Sequence, residues 1–398
     1  MIRAMIRSRV IGALIAALFV VPAAAEPLRV TFGVLRQTHS SETLSILDLP
    51  AEDDTLAGAR LGAEDDNTTG RFTGQSFEAL DAKLAPDEDA VAAAMRLVEA
   101  GASLVIADLS AEDLLRVSDA LKPRDALLFN VSAPDDSLRE EACRANVIHV
   151  APTRSMLTDG LAQYLVWKQW RRWLLIRGSH PADEFLAAAY RASAKKFGAK
   201  IVDERVYVDT EGGRRSDSGS VQTQRLIPPL TQNAPAYDVL IAADESEVFG
   251  AYLPYRTFDP RPIAGSGGLR PVSWDAAHDQ WGAVQLQNRF FRQFRRGMNG
   301  RDHQAWLAAR MIGEAATRVG SAEPKALRGF LTGADFSIAA FKGVRLSLRP
   351  WNLQLRQPIL LTDGRMTVSV SPQEGFLHQT TELDTLGVDK PETKCRLP

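Results

Sequence analysis

The sequence predicts an α/β protein made of two doubly wound parallel-sheet lobes. Three observations lead there: short continuous apolar runs, amphipathic helical stretches spaced between them, and a restart of the same rhythm after His149. A strand that is apolar throughout must bury both faces, as in a parallel sheet covered by helices. Alternation of such runs with helices means βαβ units. At 398 residues the chain also exceeds one comfortable hydrophobic core, so two domains are expected.

Taken in order, LRVTFGVL at 28–35 reads as the first strand. A helix runs from about Thr55 through Ala59, Leu61 and Ala63 to a turn at Asn67-Thr68-Thr69-Gly70. From Asp87 the helical period is explicit, with Val91, Met95 and Val98 at i, i+4 and i+7 and Gly101 as the stop. SLVIA at 103–107 is a strand. Ser110 then caps a helix whose Asp113 completes a capping box, and Leu114, Val117 and Leu121 form its buried stripe. ALLFNV at 126–131 is the next strand.

In the second half, Thr153 or Ser155 opens a helix reaching Trp170, and WLLIR at 173–177 is a strand. A helix at 182–197 stops at Gly198, followed by a strand at 201–208, a polar surface loop at 211–220 and the buried strand YDVLIAA at 237–243. A basic, aromatic helix at 288–297 and another at 304–319 come next. Two strands around Asp363-Gly364 read as a hairpin with a two-residue turn.

Residues 1–25 read as a secretory signal, with Arg3, Arg7 and Arg9, an apolar core at 10–21, and Ala23-Ala24-Ala25 before a cut at Glu26. The competing reading, a membrane anchor, needs about 20 apolar residues. No Cys follows the core to carry a lipid, so a product free in the periplasm is expected. Removing three arginines from 47 basic residues leaves 44 against 49 acidic, a balance of −5. That balance argues against a nucleic-acid surface, which would need clustered positive charge. In an oxidising compartment Cys143 and Cys395 can pair, tying the polar tail 391–398 to the body; the alternative is two unpaired thiols.

Motifs for catalysis are missing: there is no G-x-S-x-G, H-E-x-x-H or G-x-x-x-x-G-K-[ST]. Gly265-Ser266-Gly267-Gly268 resembles part of a dinucleotide loop, but Arg270 stands where the last glycine belongs. Asp65 to Gly70 starts like a calcium loop, yet its twelfth position is Ser76 in place of Glu. His39, His149, His180, His278, His303 and His378 show no ligand spacing. Neither an enzyme nor a catalytic cofactor nor a metal site is expected.

The segments GARLGAEDDNTTGRFTGQSFEALDAKL, ASLVIADLS, LFNVSAPDDSLR, HVAPTRSMLTDGLAQYLVWK, WLLIRGSHPADEFLAAAYRASAKKFGAKIVDE and YDVLIAADESE with GSGGLRP resemble, in this order, the type I periplasmic binding proteins of the branched-chain amino acid receptor class. More narrowly, EDDNTTGRFTGQSF, FKGVRLSLRPWNLQLRQPILL and LGVDKPETKC look like the receptor-like proteins of pyrroloquinoline quinone (PQQ)-dependent alcohol dehydrogenase systems. The resemblance implies lobe one at 27–150 with 280–345, lobe two at 151–279 with 346–398, and a hinge of several crossings. It implies a monomer that closes on a small anionic ligand, expected to be PQQ, and works with an ABC-type permease or a PQQ-dependent dehydrogenase. The alternatives are a ligand-sensing or assembly module for a membrane receptor or dehydrogenase, or a receptor for an amino acid or other carboxylate. Amino acid receptors usually carry Tyr-Gly after the first strand of lobe two, where this chain has Gly178-Ser179-His180-Pro181, so that pocket is not carried over.

In open α/β sheets ligands sit beyond the carboxyl ends of strands, at helix N-termini. Lobe one offers Arg36-Gln37, Asp108 to Ser110 and Asn130 to Ala133, with Ser132 among them; lobe two offers Arg177 to His180, Asp244-Glu245, and Gly265 to Arg270 with Trp274. Ser110 and Asp244 fit helix caps equally well, and Asn130 and Ser132 turn formers. PQQ, a planar tricarboxylate, would need arginine forks and stacking faces. Arg36, Arg71, Arg154, Arg177 and Arg270 are the candidate forks, with Trp274 and Trp281 as platforms.

Overall fold

A computed structural model describes residues 27–38, 49–85, 87–209 and 219–397. The signal at 1–25 and most of the expected loop at 211–220 lie outside them.

The first sheet is parallel with strand order β2-β1-β3-β4-β5, formed by β1 (Leu28–Arg36), β2 (Gln75–Lys83), β3 (Leu104–Asp108), β4 (Leu127–Asn130) and β5 (Val147–His149). Helices α1 (Leu56–Thr73), α2 (Ala90–Glu99) and α3 (Ala111–Leu121) connect the early strands. Every residue of β3 is buried, and its side chains divide by parity. Leu104 and Ile106 join one core with α1, while Val105 and Ala107 join another with α2 and α3. A strand buried on both faces is what its unbroken apolar run demanded.

The second sheet repeats the plan in the order β7-β6-β8-β9, from β6 (Arg172–Arg177), β7 (Lys200–Val206), β8 (Val239–Ala243) and β9 (Ile263–Gly265). Helices α4 (Arg154–Trp167), α5 (Pro181–Phe197) and α6 (Gly219–Thr231) belong to this lobe. In β8, Val239, Ile241 and Ala243 face the core shared with α4 and α5, and Leu240 and Ala242 face the opposite one.

The chain then returns. A short strand β10 (Arg270–Val272) leads to α7 (Ala283–Phe294), α8 (Gly300–Val319) and α9 (Pro324–Leu331), and α7 to α9 cover the first sheet. The strands β11 (Ile338–Ala339), β12 (Arg345–Leu348) and β13 (Leu355–Arg356) form a small antiparallel sheet. The hairpin β14 (Ile359–Thr362) and β15 (Thr367–Ser371) adds to β10. Leu346, Leu348 and Leu355 pack in the lobe-one core, whereas Ile359, Leu361 and Leu386 pack in lobe two. Leu360, between Ile359 and Leu361, packs in the lobe-one core, so β14 joins both cores.

Three local expectations need correction. α1 continues through Asn67-Thr68-Thr69-Gly70, because the Asn67 side chain serves the backbone of Phe77 as both donor and acceptor. Gly70 also lets α1 lie against the Gln75 carbonyl, where a Cβ would come within 2.4 Å. α8 begins at Gly300, four residues early, set by a capping box of Asn299 with Asp302. The hairpin turn is longer than two residues: Thr362 pairs Thr367 across a register shift, and Asp363 accepts the N–H groups of Arg365 and Met366.

The lobes are laced where the chain crosses. Gln357 donates to the Val150 carbonyl at 2.6 Å and accepts from the Lys342 ammonium at 2.6 Å. Gln354 donates to the carbonyls of His149 and Ala151 and accepts from Arg139. Arg139 is buried and sits among neutral oxygens, so burial pulls its affinity for the proton down to a pKa of about 9. Cys143 and Cys395 are joined, so the tail is tied to the body.

Candidate functional site

Between the lobes lies a cleft of about 560 Å³. Lobe one and the crossings contribute Ser132, Pro134, Ala151 and Pro152, and α4 enters with Arg154 and Leu157. Leu186 and Tyr190 come from α5, and Asp244, Glu245 and Glu247 from the turn after β8. The remaining wall runs from Gly265 and Ser266 through Arg270 to Trp274 and ends at Gly300, Arg301 and Gln304, the first turn of α8.

Five of the fourteen ligand residues read from the sequence face this cleft: Ser132, Arg154, Asp244, Arg270 and Trp274. Three of these are already engaged, Ser132 by donating its hydroxyl to the Leu109 carbonyl at 3.1 Å. Arg154 gives Nε and Nη2 to Glu245, both at 2.6 Å, and Nη1 to Asp135 at 2.8 Å. A guanidinium that carries two carboxylates, one on either side of the cleft, is a brace and has little left for a ligand. Asp244 accepts the N–H groups of Val248, Phe249 and Gly250 at 2.9, 2.8 and 2.5 Å. Burial outweighs those bonds and pushes its carboxyl up to about 6. It is the organiser of the turn, the cap that the sequence left open as an alternative.

The other candidates bond elsewhere. Arg36 holds Asp81 with Nε and Nη2 at 2.8 and 2.9 Å and the Glu52 carbonyl with Nη1. Asp108 is buried and accepts from the Thr55 hydroxyl at 2.5 Å, and its carbonyl takes the Gln37 N–H. Ser110 caps α3 through the Asp113 N–H. Asn130 closes its own turn, accepting from the Ser132 and Ala133 N–H groups. Arg177 pairs with Glu184 at 3.0 Å, and His180 with Asp209 at 2.9 Å. Arg71 lines a separate open groove between α1 and α7, and Trp281 lies half-exposed over Gly343. Five of the fourteen candidates line the cleft and nine do not. The strand-tip rule could not see that most of these side chains pair with one another.

What remains is one polar wall. Arg270 stands 3.7 Å from Asp275 and Arg301 stands 3.9 Å from Asp54, both beyond hydrogen-bond distance. Among the described residues neither has a closer carboxylate. Trp274 stacks on His303 with ring centres 4.0 Å apart and planes 7° off parallel. Gln304 donates to the Ser273 hydroxyl at 2.6 Å. Yet Trp274 Nε1 and Gln304 Oε1, both buried, have no hydrogen-bond partner among the described residues. Native interiors rarely leave such atoms unmatched, and each exception asks for an explanation. Arg301, Gln304, Leu186 and Tyr190 were not foreseen. The signal for the first two was present in Asn299-x-x-Asp302, which starts α8 at the cleft. Leu186 and Tyr190 lie four apart on α5, the spacing of any packed helix face.

A family model for periplasmic binding proteins matches residues 50–217. A branched-chain amino acid ABC transporter periplasmic ligand-binding protein from Burkholderia xenovorans superposes with a TM-score of 0.69 at 16% identity, over 92% of this chain and 99% of that one. The chain has the fold of the type I periplasmic binding proteins. A leucine-, isoleucine-, valine-, threonine- and alanine-binding protein from Brucella ovis, in its closed conformation, gives 0.67 at 14% identity, over 94% and 100%. A solute-binding protein of R. palustris in complex with benzoate gives 0.63 at 13%, over 93% and 100%. No curated protein sequence matches the chain. The broad resemblance seen in the sequence holds for this fold; its narrower link to PQQ systems has no counterpart among these relatives. In keeping with the fold, no helix among the described residues is long and apolar enough to cross a membrane.

Proposed function

We propose that this type I periplasmic-binding-protein fold is an exported, non-catalytic solute-binding protein that closes on a small carboxylate-bearing ligand and serves an ABC-type importer. One observation carries the reading. Among the described residues, the interlobe cleft has two guanidinium groups without a carboxylate in hydrogen-bond distance, Arg270 and Arg301, beside a helix N-terminus at Gly300 and two buried polar atoms without hydrogen-bond partners. Helix N-termini and arginine forks both favour anionic groups. Similar proteins described with benzoate or branched-chain amino acids support the same class.

The lining carries three guanidinium groups, on Arg154, Arg270 and Arg301, and three carboxyls, on Asp244, Glu245 and Glu247. That balance favours a monocarboxylate or a zwitterion. PQQ, with three carboxylates, would meet Glu245 and Glu247 as well as the arginines, which weakens the narrower expectation drawn from the sequence.

A thermal-shift panel tests the reading directly, using α-amino acids, aliphatic and aromatic monocarboxylates, their neutral amides, and PQQ. A ligand at about 100 times its Kd stabilises by roughly 2.7 kcal/mol. For a protein of this size that is a rise of several degrees in Tm. The acids should stabilise and the amides should not, and Arg270→Ala with Arg301→Ala should abolish the difference. Amides that bind as well as acids would remove the anionic subsite. No stabilisation or absorbance change with PQQ at tens of micromolar would strike it from the list.

A further inference from the structure

We infer that the C-terminal segment is a strap that spans both lobes and limits how far the cleft can open. This rests on the reading of the lobes as hinged. Its first anchor is in lobe two. Leu386 is buried in that lobe's core, and Asp159 of α4 accepts the Gly387 N–H at 2.8 Å. Lys196 of α5 donates to the carbonyls of Thr385 and Gly387 at 2.9 and 2.8 Å, and Gln163 donates to the Thr385 hydroxyl at 2.9 Å.

The second anchor is in lobe one. Cys395 is bonded to Cys143, which lies between β4 and β5 of the first sheet. Just before it, Glu140 accepts from the Thr393 hydroxyl and the Lys394 N–H, at 3.0 and 2.6 Å. Near the crossings, Asp384 also accepts from Arg349 and Arg356, each at 2.8 Å. Only six steps of chain separate Gly387 from Thr393. Fully extended, six residues reach about 20 Å. Lobe two therefore cannot rotate away on this side beyond the strap's length without breaking a covalent bond or pulling Leu386 out of its core.

The test lengthens the strap and keeps the bridge. Six Gly/Ser residues are inserted between Lys390 and Pro391, and labels attached by thiol-independent chemistry at the exposed positions Glu99 and Ala192 report the interlobe distance in ligand-free protein. The lengthened variant should shift the distance distribution outward by several Å, bounded by the roughly 20 Å the insertion can supply. The double variant Cys143→Ser with Cys395→Ser should shift the same way. A lengthened strap that leaves the distribution at the parent position overturns the inference, because a bridge acting only by stabilising the tail would give that result. No ligand is added, so failure of the carboxylate panel and failure of the strap are separate outcomes.

Discussion

Lys342 offers the sharpest test of the hinge. Its ammonium is wholly buried, donates to Gln357 Oε1 at 2.6 Å and to the Pro358 carbonyl at 3.3 Å, and its charge disfavours protonation of His278 and His303. Burial pulls all three groups down, Lys342 from 10.5 to about 7. At about 1.36 kcal/mol per decade, a lysine displaced that far carries a cost of roughly 5 kcal/mol while protonated. The direction follows from proton counting. Unfolded, the lysine keeps its proton to about pH 10.4; folded, it releases it near 7. Below pH 7 both states are protonated and the cost is present in full. Between 7 and about 10 the unfolded chain binds more protons, so stability climbs with pH.

Lys342→Met removes this contribution and leaves Gln357 Oε1 unpaired, a penalty of about 1–3 kcal/mol that does not depend on pH. Urea unfolding of parent and variant, followed by tryptophan fluorescence at pH 6.5, 7.5, 8.5 and 9.5, isolates the difference. From pH 7.5 to 9.5 the parent should gain about 2.7 kcal/mol over the variant. A difference constant to within about 0.5 kcal/mol, the usual error of additivity, would refute the reasoning.

Other outcomes follow from the same geometry. Arg270→Ala and Arg301→Ala should each weaken the preferred carboxylate by ten- to a hundredfold in calorimetry, the equivalent of about 1.5–3 kcal/mol for a hydrogen bond to a charged group. Arg154→Ala should instead lower the unliganded stability by about 3 kcal/mol, because it leaves Glu245 and Asp135 facing each other without their shared cation. Asp244→Asn puts an amide against three backbone donors but removes a charge that burial disfavours, so the two effects oppose at neutral pH and the pH dependence is the readout. Since the parent carboxyl is raised to about 6, the folded state binds more protons between about pH 4 and 6, and the fall in stability across that window should vanish in the variant. Gly58→Ala would set a Cβ 1.8 Å from the Asp302 carbonyl oxygen, a backbone atom at the start of α8. Thermal unfolding should show a loss of at least about 2 kcal/mol.

Much of the architecture was legible because it is written locally. The apolar run at 103–107 needs no distant partner to declare a strand buried on both faces, and Ser110 with Asp113 declares a helix start within four residues. Gly101 and Gly198 likewise mark where helices end. β2 was missed because QSFEALDAK carries little apolar signal; much of it is exposed, and it becomes a strand by pairing in register with β1 along all nine residues. α7 was placed five residues late, since its N-cap is Gly282 in a left-handed turn with no side-chain cap to announce it.

By itself, then, the chain determined two wound sheets, their covering helices, and the bridge between Cys143 and Cys395 as an allowed pairing. Only the tertiary structure decided which charged side chains are spent. Arg36 meets Asp81 across 45 positions and Arg154 meets Glu245 across 91, while Arg270 and Arg301 reach no carboxylate within bonding distance among the described residues. The physical reason is that strand and helix periods repeat over a few residues, whereas a guanidinium's partner is set by which distant segments the folded sheets bring to the same edge.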